Sequence, residues 1–360
     1  MLFRSLARVA PERRMLHADQ GTLSGPVALT PIQSWFFEGL PAEPDYFNQS
    51  VLLKVVADLD PADIERAVHA VIVHHDMLRA RFHWFQGQPR EVHAEIAGST
   101  ETIPFSVCDY SALSAEDQSA ALLAEAQRQQ ASLNLSHGPL LRVVFFHLGG
   151  GQPDRLLLII HHLVVDGVSW RILLSALATA VTQLRHAEPI ALSPKTTAFP
   201  YWAERLHAYA GSSSATAELD YWQEQAVTPT VRLPRDTPSD LNANTLASTD
   251  QITLALSAES TRALLQETPR AYRTQINDVL LTALVRTFSR WTGAPSMRIF
   301  LEGHGREELF DEVDLSRTVG WFTTGFPVVL RCEEGEGPGT SLKRTKEILH
   351  GIPHHGIGYG

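Results

Sequence analysis

The chain has 360 residues, of which 44% are hydrophobic and 19% are charged, proportions typical of soluble globular proteins. This length favours two compact lobes over a single small domain. The chain has 40 acidic and 30 basic side chains, so its formal net charge is -10. An acidic chain has no cationic excess to neutralise phosphates, which argues against nucleic acid as a partner.

The cysteine content and the hydropathy pattern indicate in which cellular compartment the protein is expected. Cys108 and Cys332 are too far apart to form a disulfide framework or a zinc motif, and they favour a reducing, cytoplasmic location. No apolar stretch is long enough to cross a bilayer, so we expect no membrane partner. Residues 1–20 are rich in arginine. We expect a linker remnant of a longer protein there, with a transit peptide as the alternative.

The first half of the chain predicts strands and helices in turn. Residues 51–56 read as a short buried strand, followed by a helix with Asp60 as its N-cap and Pro61 at its first position. Ser114 is expected to cap a second helix over 114–130. Two apolar strands follow, "LRVVFFHL" and "RLLLIIHH", separated by a hairpin-like break.

The second half restarts after a loop-rich stretch at 186–250. Ile252, Leu254 and Leu256 alternate as in a strand, and further strands are predicted at "MRIFLE" and "FPVVLR". Helices are predicted at "SLKRTKEIL" and at "NDVLLTALVRTFSRW", where Asn277 is the expected cap. The side chains expected on one face of that last helix are Leu280, Leu284, Phe288 and Trp291. The mixture of strands and helices in both halves predicts two α/β lobes.

The stretch "RLLLIIHHLVVDGVSWRILL" joins an apolar strand to a helix through two histidines, an aspartate and a glycine. The strand lacks polar alternation, so we expect both of its faces to be covered. His161 and His162 should point to opposite sides, and only one of them can face a given cleft. An imidazole there could act as an acid or a base near neutral pH. Gly167 is expected to permit the turn into the helix, and Asp166 to orient the loop or to pair with an arginine.

Other kinds of site are disfavoured in this stretch. Adjacent strand histidines diverge, and no third ligand has a useful spacing, so we expect no metal site. Ser169 does not lie in a nucleophile elbow and reads as a first-turn helix residue. Two further segments, "EGHGREELF" and "RTVGWFTTGFPVVL", contain turns after or before strands. Each is a weak signal alone, because a strand-exit turn with a solvated carboxylate is common.

In combination, six segments resemble an epimerization domain of nonribosomal peptide synthetases, a branch of the condensation-domain superfamily. They occur in family order: "LTPIQSWFFE", "HHLVVDGVSWRIL", "NDVLLTAL", "EGHGRE", "RTVGWFTTGFPVVL" and "PHHGIGYG". The HHxxxDG core marks only the superfamily. The pair "DGVSWRIL" and "EGHGRE" is the part that points to epimerization.

The resemblance implies an α/β fold of two chloramphenicol-acetyltransferase-like lobes, arranged as a V-shaped pseudo-dimer with a tunnel between them. We expect the N-terminal lobe at 21–190 and the C-terminal lobe at 191–360. The chain ends at Gly360, before the "FNYLG"-like segment with which the family usually continues. The expectation is therefore an incomplete second lobe with an unpaired sheet edge and lower solubility.

The resemblance also implies the chemistry. The family inverts the α-carbon of an aminoacyl or peptidyl thioester held on the 4'-phosphopantetheine arm of a carrier protein. His162 and Glu302 are the predicted catalytic residues. The predicted supporting residues are His161, Asp166, Gly167, Ser169, Trp170, His304, Arg306 and Trp321. No bound cofactor or metal is implied. The implied partners are an upstream peptidyl carrier protein and a downstream condensation domain.

Two alternative functions stay open. A condensation domain, which joins two carrier-bound acyl groups, would share His162 and Asp166 but would give Glu302 no role. A non-catalytic module that docks a carrier protein is the alternative from another class.

Overall fold

The structure is a computed structural model that describes residues 18–39, 41–55, 59–85, 88–98, 103–235 and 245–360. Most of the expected N-terminal linker, residues 1–17, lies outside these ranges. No helix in the described ranges is long and apolar enough to cross a membrane.

The described residues form two compact units. The first unit contains the described residues up to Ser212 and, in addition, the segment His304–Thr324. The second unit contains Ser213–Gly303 and Gly325–Gly360. These bounds differ from those of the two predicted lobes, most clearly because 304–324 groups with the N-terminal part of the chain.

The first unit contains seven strands and five α-helices within the described residues. In chain order they are β1 (Gly25–Val27), α1 (Pro31–Glu38), β2 (Asn48–Lys54), α2 (Pro61–His74), β3 (Ala80–Phe85), β4 (Gln88–Ile96), β5 (Phe105–Asp109), α3 (Ala115–Gln130), β6 (Leu141–His147), β7 (Arg155–His161), α4 (Gly167–Arg185) and α5 (Phe199–Ala210). Short 3₁₀ turns lie at Asp76–Arg79 and His162–Val164.

The four-stranded sheet of this unit positions the histidine doublet. Its strand order is β2-β7-β6-β5, with β5 and β6 parallel and the other pairs antiparallel. Strand β7 is an inner strand, and its residues from Leu156 to His161 are all buried. The prediction that both faces of this strand are covered is confirmed. A smaller sheet has the order β1-β4-β3.

The predicted helix starts of this unit are confirmed. Asp60 caps α2 by accepting a hydrogen bond from the Ala62 N–H at 2.9 Å, and Pro61 follows at the first helical position. Ser114 caps α3 by accepting from the Asp117 N–H at 3.2 Å. These side chains satisfy backbone donors that a helix start otherwise leaves unpaired. Strand β2 begins at Asn48, three residues before its predicted start.

A buried arginine holds the segments after α2 together. The Arg79 side chain has no exposed surface and forms an ion pair with Asp76 at 2.7 Å. Its guanidinium group also donates to four backbone carbonyl groups, those of Leu23, Ile72, Val73 and Ala97. Since a buried cation is costly unless it is paired and hydrogen-bonded, this set of acceptors accounts for its position.

The second unit is built around a two-stranded sheet. Its elements in chain order are α6 (Ser213–Ala217), α7 (Leu219–Val227), α8 (Ala258–Arg262), α9 (Thr268–Tyr272), α10 (Ile276–Thr292), β8 (Ser296–Gly303), β9 (Thr324–Arg331) and α11 (Pro338–His350). One turn of π-helix at Ala263–Glu267 joins α8 to α9. Strands β8 and β9 confirm the strands predicted at "MRIFLE" and "FPVVLR", and helix α11 confirms the helix predicted at "SLKRTKEIL".

The strand predicted at 252–256 is wrong. Ile252, Leu254 and Leu256 lie in an irregular segment and are 88%, 92% and 62% exposed. The alternation of apolar residues is typical of a strand, but a strand also needs a neighbour for its backbone groups. Within the described residues no strand pairs with this segment.

Helix α10 differs from its prediction in two ways. Its N-cap is Gln275 instead of Asn277, because the Asp278 carboxylate accepts the Gln275 N–H at 2.7 Å and closes a capping box two residues earlier. Its buried side chains are Asp278, Thr282 and Val285. Two members of the predicted face, Leu280 and Trp291, are instead more than half exposed.

We predict that Arg79→Met lowers the free energy of unfolding by at least about 3 kcal/mol, because four carbonyl groups would lose their buried donor. The control is Arg66→Met. Arg66 forms an ion pair with Asp63 at the same three-residue spacing, but its side chain is 66% exposed, and such pairs contribute little. Urea unfolding followed by tryptophan fluorescence measures both. Equal losses in the two variants would contradict the buried hydrogen-bond network.

Candidate functional site

The two histidines at the end of β7 have different environments. His161 is the last strand residue and is fully buried, whereas His162 begins the 3₁₀ turn and is half-buried. The His161 ring accepts the Leu163 N–H at Nδ1 and donates from Nε2 to the Pro44 carbonyl oxygen at 2.8 Å. Burial lowers the pKa of His161 to about 4. His161 is therefore a neutral core residue at neutral pH.

His162 lies among aromatic side chains. Its ring stacks on Phe47 with 5.1 Å between ring centroids and an interplanar angle of 12°. The Trp321 ring lies against it at 4.6 Å. Its Nδ1 lies 2.9 Å from the Val165 carbonyl oxygen, and its Nε2 lies 2.8 Å from the side-chain nitrogen of Gln49. The structure thus brings the predicted residues His162 and Trp321 into contact.

Asp166 holds backbone and a cation in place. It is the N-cap of α4, where its Oδ1 accepts the Ser169 N–H at 2.7 Å. Its Oδ2 accepts the Phe322 N–H at 3.2 Å. The carboxylate also forms an ion pair with Arg306 at 3.3 Å, with both side chains almost completely buried. Asp166 therefore pairs with an arginine, one of the two roles expected from the sequence.

Arg306 extends this network into the segment 304–324. Its guanidinium group donates to the Leu315 and Thr318 carbonyl groups, each at 2.8 Å. It also lies over the Phe322 ring, 3.9 Å from the ring centroid, a cation–π contact. Burial lowers the pKa of Arg306, while the Asp166 carboxylate opposes that shift.

Ser169 and Trp170 lie in the first turn of α4 and contact different partners. The Ser169 hydroxyl donates to the Gly320 carbonyl at 2.9 Å and accepts from Arg306 at 2.9 Å. This hydroxyl is fully buried and binds backbone, so the geometry gives it no nucleophilic role. The Trp170 indole N–H donates to the Oε1 atom of Gln49 at 2.7 Å.

The two glycines of the predicted turns behave differently. Gly305 has a φ of +64°, and a Cβ built on it would lie 1.6 Å from the Phe322 backbone oxygen. The backbone there requires glycine. Gly167 lies outside the left-handed region, and a Cβ there would meet no atom within 4 Å. The prediction that the turn depends on a glycine at 167 is wrong, because the backbone there is not left-handed and a Cβ has room.

The remaining predicted residues lie in exposed positions. His304 accepts the Arg306 N–H at its Nδ1 atom at 3.0 Å, and its Nε2 atom lies 3.5 Å from the Glu307 carboxylate. Glu302 is exposed near the end of β8, in the second compact unit. Its catalytic role and that of His162 stay predictions.

Sequence reasoning missed Phe47 and Gln49. Both contact the His162 ring, and the Phe47 carbonyl accepts the His162 N–H at 2.8 Å. They reach it because β2 pairs with β7 in a register that sets Asn48 opposite His161. A single sequence carries no signal for the register of two strands that are so distant along the chain.

The described residues contain no group of three or more histidine, cysteine, aspartate or glutamate side chains that could hold a metal ion. Cys108 and Cys332 are free cysteines.

We predict that Gly305→Ala lowers the free energy of unfolding by about 2 kcal/mol or more, because the chain must move away from the Phe322 carbonyl and the new residue is strained at positive φ. The matched control is Gly167→Ala, which has room for its Cβ and should stay within about 0.5 kcal/mol of the wild type. Chemical denaturation measures both. A neutral Gly305→Ala variant would show that the close approach is absent.

Acid should destabilise the fold through His161. Its pKa is about 4 in the folded chain and 6.5 when unfolded, so between these values the unfolded state binds the extra proton. Stability present above pH 6.5 is therefore lost as the pH falls towards 4, by about 1.4 kcal/mol per pH unit from this group.

The variant His161→Gln removes this titration and should make the fall in stability shallower by about that slope. It can keep a donor towards Pro44. The control is His137→Gln, which removes an exposed imidazole. Urea unfolding at a series of pH values compares the slopes. Parallel pH dependence in His161→Gln and the wild type would contradict a neutral, buried His161.

Comparison with known proteins places these features in a family. The family model for the Condensation domain matches residues 24–360. A linear gramicidin synthase of Brevibacillus parabrevis is 45% identical over 99% of this chain, and chondramide synthase cmdD of Chondromyces crocatus is 46% identical over 99%. The chain spans only 7% and 9% of the lengths of these relatives.

Solved structures agree with this fold. The epimerization domain from the third module of tyrocidine synthetase B superposes with a TM-score of 0.85 at 36% identity, covering 96% of this chain and 75% of that one. The first condensation domain of the calcium-dependent antibiotic synthetase, in complex with a substrate analogue, has a TM-score of 0.70 at 20% identity, covering 92% and 75%. The predicted family and fold class are confirmed. The chain belongs to the condensation-domain family and has its chloramphenicol-acetyltransferase-like α/β fold.

Proposed function

We propose that this chain epimerises the α-carbon of an aminoacyl or peptidyl thioester carried on the phosphopantetheine arm of a peptidyl carrier protein, in nonribosomal peptide synthesis. One observation carries the proposal. The chain is 36% identical to a solved epimerization domain, but only 20% identical to a solved condensation domain over nearly the same share of its length. The segments "DGVSWRIL" and "EGHGRE" agree with that difference.

The reaction removes one proton from the α-carbon and returns one to it. A thioester already acidifies this hydrogen, so a positioned acid/base side chain is the main requirement. His162 suits this task because its ring is half-buried and held by Phe47 and Trp321. Its Nε2 atom is hydrogen-bonded to the Gln49 side-chain amide.

Glu302 is the second proposed exchanging group, and this part of the proposal depends on the "EGHGRE" motif. Its carboxylate is exposed at the end of β8, where a strand fixes the backbone. In one version of the mechanism, the two groups act as opposed acid and base. In the other, one of them exchanges the proton and the other stabilises the enolate charge. His161 and Asp166 have no chemical step in either version.

The proposal implies partners and a setting. The substrate arrives on the 4'-phosphopantetheine of an upstream peptidyl carrier protein, and no cofactor of the domain itself takes part. A downstream condensation domain would accept the product. The relatives are synthases of which this chain matches only a small part, which is consistent with neighbouring domains as partners. A cytoplasmic location agrees with two free cysteines.

The test is α-proton exchange in deuterated water, with a carrier protein loaded with an L-aminoacyl group. The wild type should introduce deuterium at the α-carbon and yield an L/D mixture. His162→Ala and Glu302→Gln should each abolish deuterium entry, because each removes a group that both versions of the mechanism require. Mass spectrometry and chiral chromatography of the released amino acid give the readout.

The controls are His137→Ala and Glu334→Gln, which make the same substitutions at exposed positions and should exchange at the wild-type rate. Full exchange in His162→Ala and Glu302→Gln would remove both residues from the mechanism. Peptide-bond formation between two loaded carriers, without exchange on one carrier, would instead identify a condensation domain. Carrier binding with neither reaction would identify a docking module.

A further inference from the structure

Three hydrogen bonds form a chain through the Gln49 side chain to His162. The Trp170 indole N–H lies 2.7 Å from one end of the Gln49 amide, and the other end lies 2.8 Å from Nε2 of the imidazole. On the far side of the ring, Nδ1 lies 2.9 Å from the Val165 carbonyl oxygen. All four residues belong to the first compact unit.

The chemistry of the two end groups fixes the direction of every bond. An indole N–H can only donate, so the end of the Gln49 amide that faces Trp170 must be its oxygen. The amide NH₂ therefore faces His162 and donates to the lone pair on Nε2. At the other end, the Val165 carbonyl can only accept, so Nδ1 must carry the hydrogen. Both ends select the same form of His162, the neutral ring with its proton on Nδ1.

The surroundings keep this arrangement in one orientation. Gln49 lies in β2, which is paired with β7, and Trp170 is 8% exposed in the first turn of α4. The imidazole is held between Phe47 and Trp321. A flip of the ring would put Cδ2 and Cε1 in the places of Nδ1 and Nε2 and break the bonds to Gln49 and Val165 together. By contrast, His161 holds the opposite form, with its proton on Nε2.

We propose that Gln49 is a positioning residue for His162, oriented by Trp170, and that it presents Nε2 as the nitrogen that receives the substrate α-proton. This inference rests on the proposed function for the identity of the proton. The Gln49 NH₂ must first leave the Nε2 lone pair, because one lone pair cannot bind two hydrogens. When the Cα–H bond then breaks, its proton binds Nε2 and its electron pair stays on the substrate as the enolate. The Gln49 NH₂ is a donor and cannot accept from the new Nε2–H, so the proton is left free to return to the α-carbon.

The test reads the form of the ring directly. In the chain labelled with ¹⁵N-histidine, at mildly alkaline pH and without substrate, His162 should show a protonated Nδ1 and an unprotonated Nε2. The signals are assigned by their loss in His162→Gln. In Gln49→Leu the Val165 carbonyl still favours Nδ1–H, but without the amide donor the Nε2–H form should rise to a measurable minority. Gln49→Glu should shift the ring towards Nε2–H, because a carboxylate accepts where the amide donated. Trp170→Phe should loosen the preference, although Gln49 itself is unchanged.

Two controls separate this effect from misfolding. His161 should keep its proton on Nε2 in every variant, and a change in its signals would identify a disrupted strand end. Gln152→Glu makes the same substitution at an exposed loop position and should leave His162 as in the wild type. Two results would overturn the inference. One is a wild-type His162 that carries its proton on Nε2. The other is a His162 spectrum that is unchanged both in Gln49→Leu and in Gln49→Glu.

The kinetic arm separates this inference from the proposed function. The deuterium exchange rate at saturating loaded carrier should fall about 10- to 100-fold in Gln49→Leu, the scale expected when a reacting group is misaligned. The KM for the carrier should stay unchanged, because the role proposed for Gln49 acts through its contact with His162. If the ¹⁵N spectra are as expected but the wild type shows no deuterium exchange, the proposed function is wrong and the arrangement of Gln49 and His162 still holds. A wild-type exchange rate in Gln49→Leu would overturn the positioning role.

Discussion

The buried ion pair between Asp166 and Arg306 is the contact on which the rest of the candidate site depends. The carboxylate caps α4, and the guanidinium group holds two carbonyl groups of the segment 304–324. That segment carries Trp321 against His162. Loss of either partner would leave a buried charge without its counterion, which is more damaging than the absence of both. The aspartate of the HHxxxDG motif therefore joins the start of α4 to the segment 304–324.

Much of the fold could be predicted because its signals are local. The N-caps Asp60 and Ser114 need only a polar side chain and the next turn of helix, and both are where the sequence indicated. The apolar run of β7 predicted a strand covered on both faces, because period-two alternation is absent. Strand alternation predicted different environments for His161 and His162. Their environments do differ, but His162 belongs to the turn that follows the strand.

The wrong or missing predictions have a shared physical cause. A local sequence pattern does not determine which segment a strand or a helix will pack against. Ile252, Leu254 and Leu256 have the alternation of a strand and lack a neighbouring strand among the described residues. Gln49 belongs to the site only through the register of β2 on β7. On α10, an amphipathic pattern fixed the helical period, but the neighbours decided which face became buried. At Gly167 the sequence predicted a backbone requirement that the structure does not show, since a glycine can occur in a motif without a positive φ or a close contact.

The first compact unit is assembled from two pieces of chain, and this has a consequence for the order of synthesis. The chain leaves the unit at Ser212, builds most of the second unit, and returns at His304. While a ribosome is still making the intervening residues, Asp166 lacks its cation, because Arg306 and its partners Leu315, Thr318 and Phe322 all belong to the later segment. The first unit therefore matures after much of the second has been translated. Its last stabilising step is the arrival of a segment made about ninety residues later, as the interval between Ser212 and His304 requires.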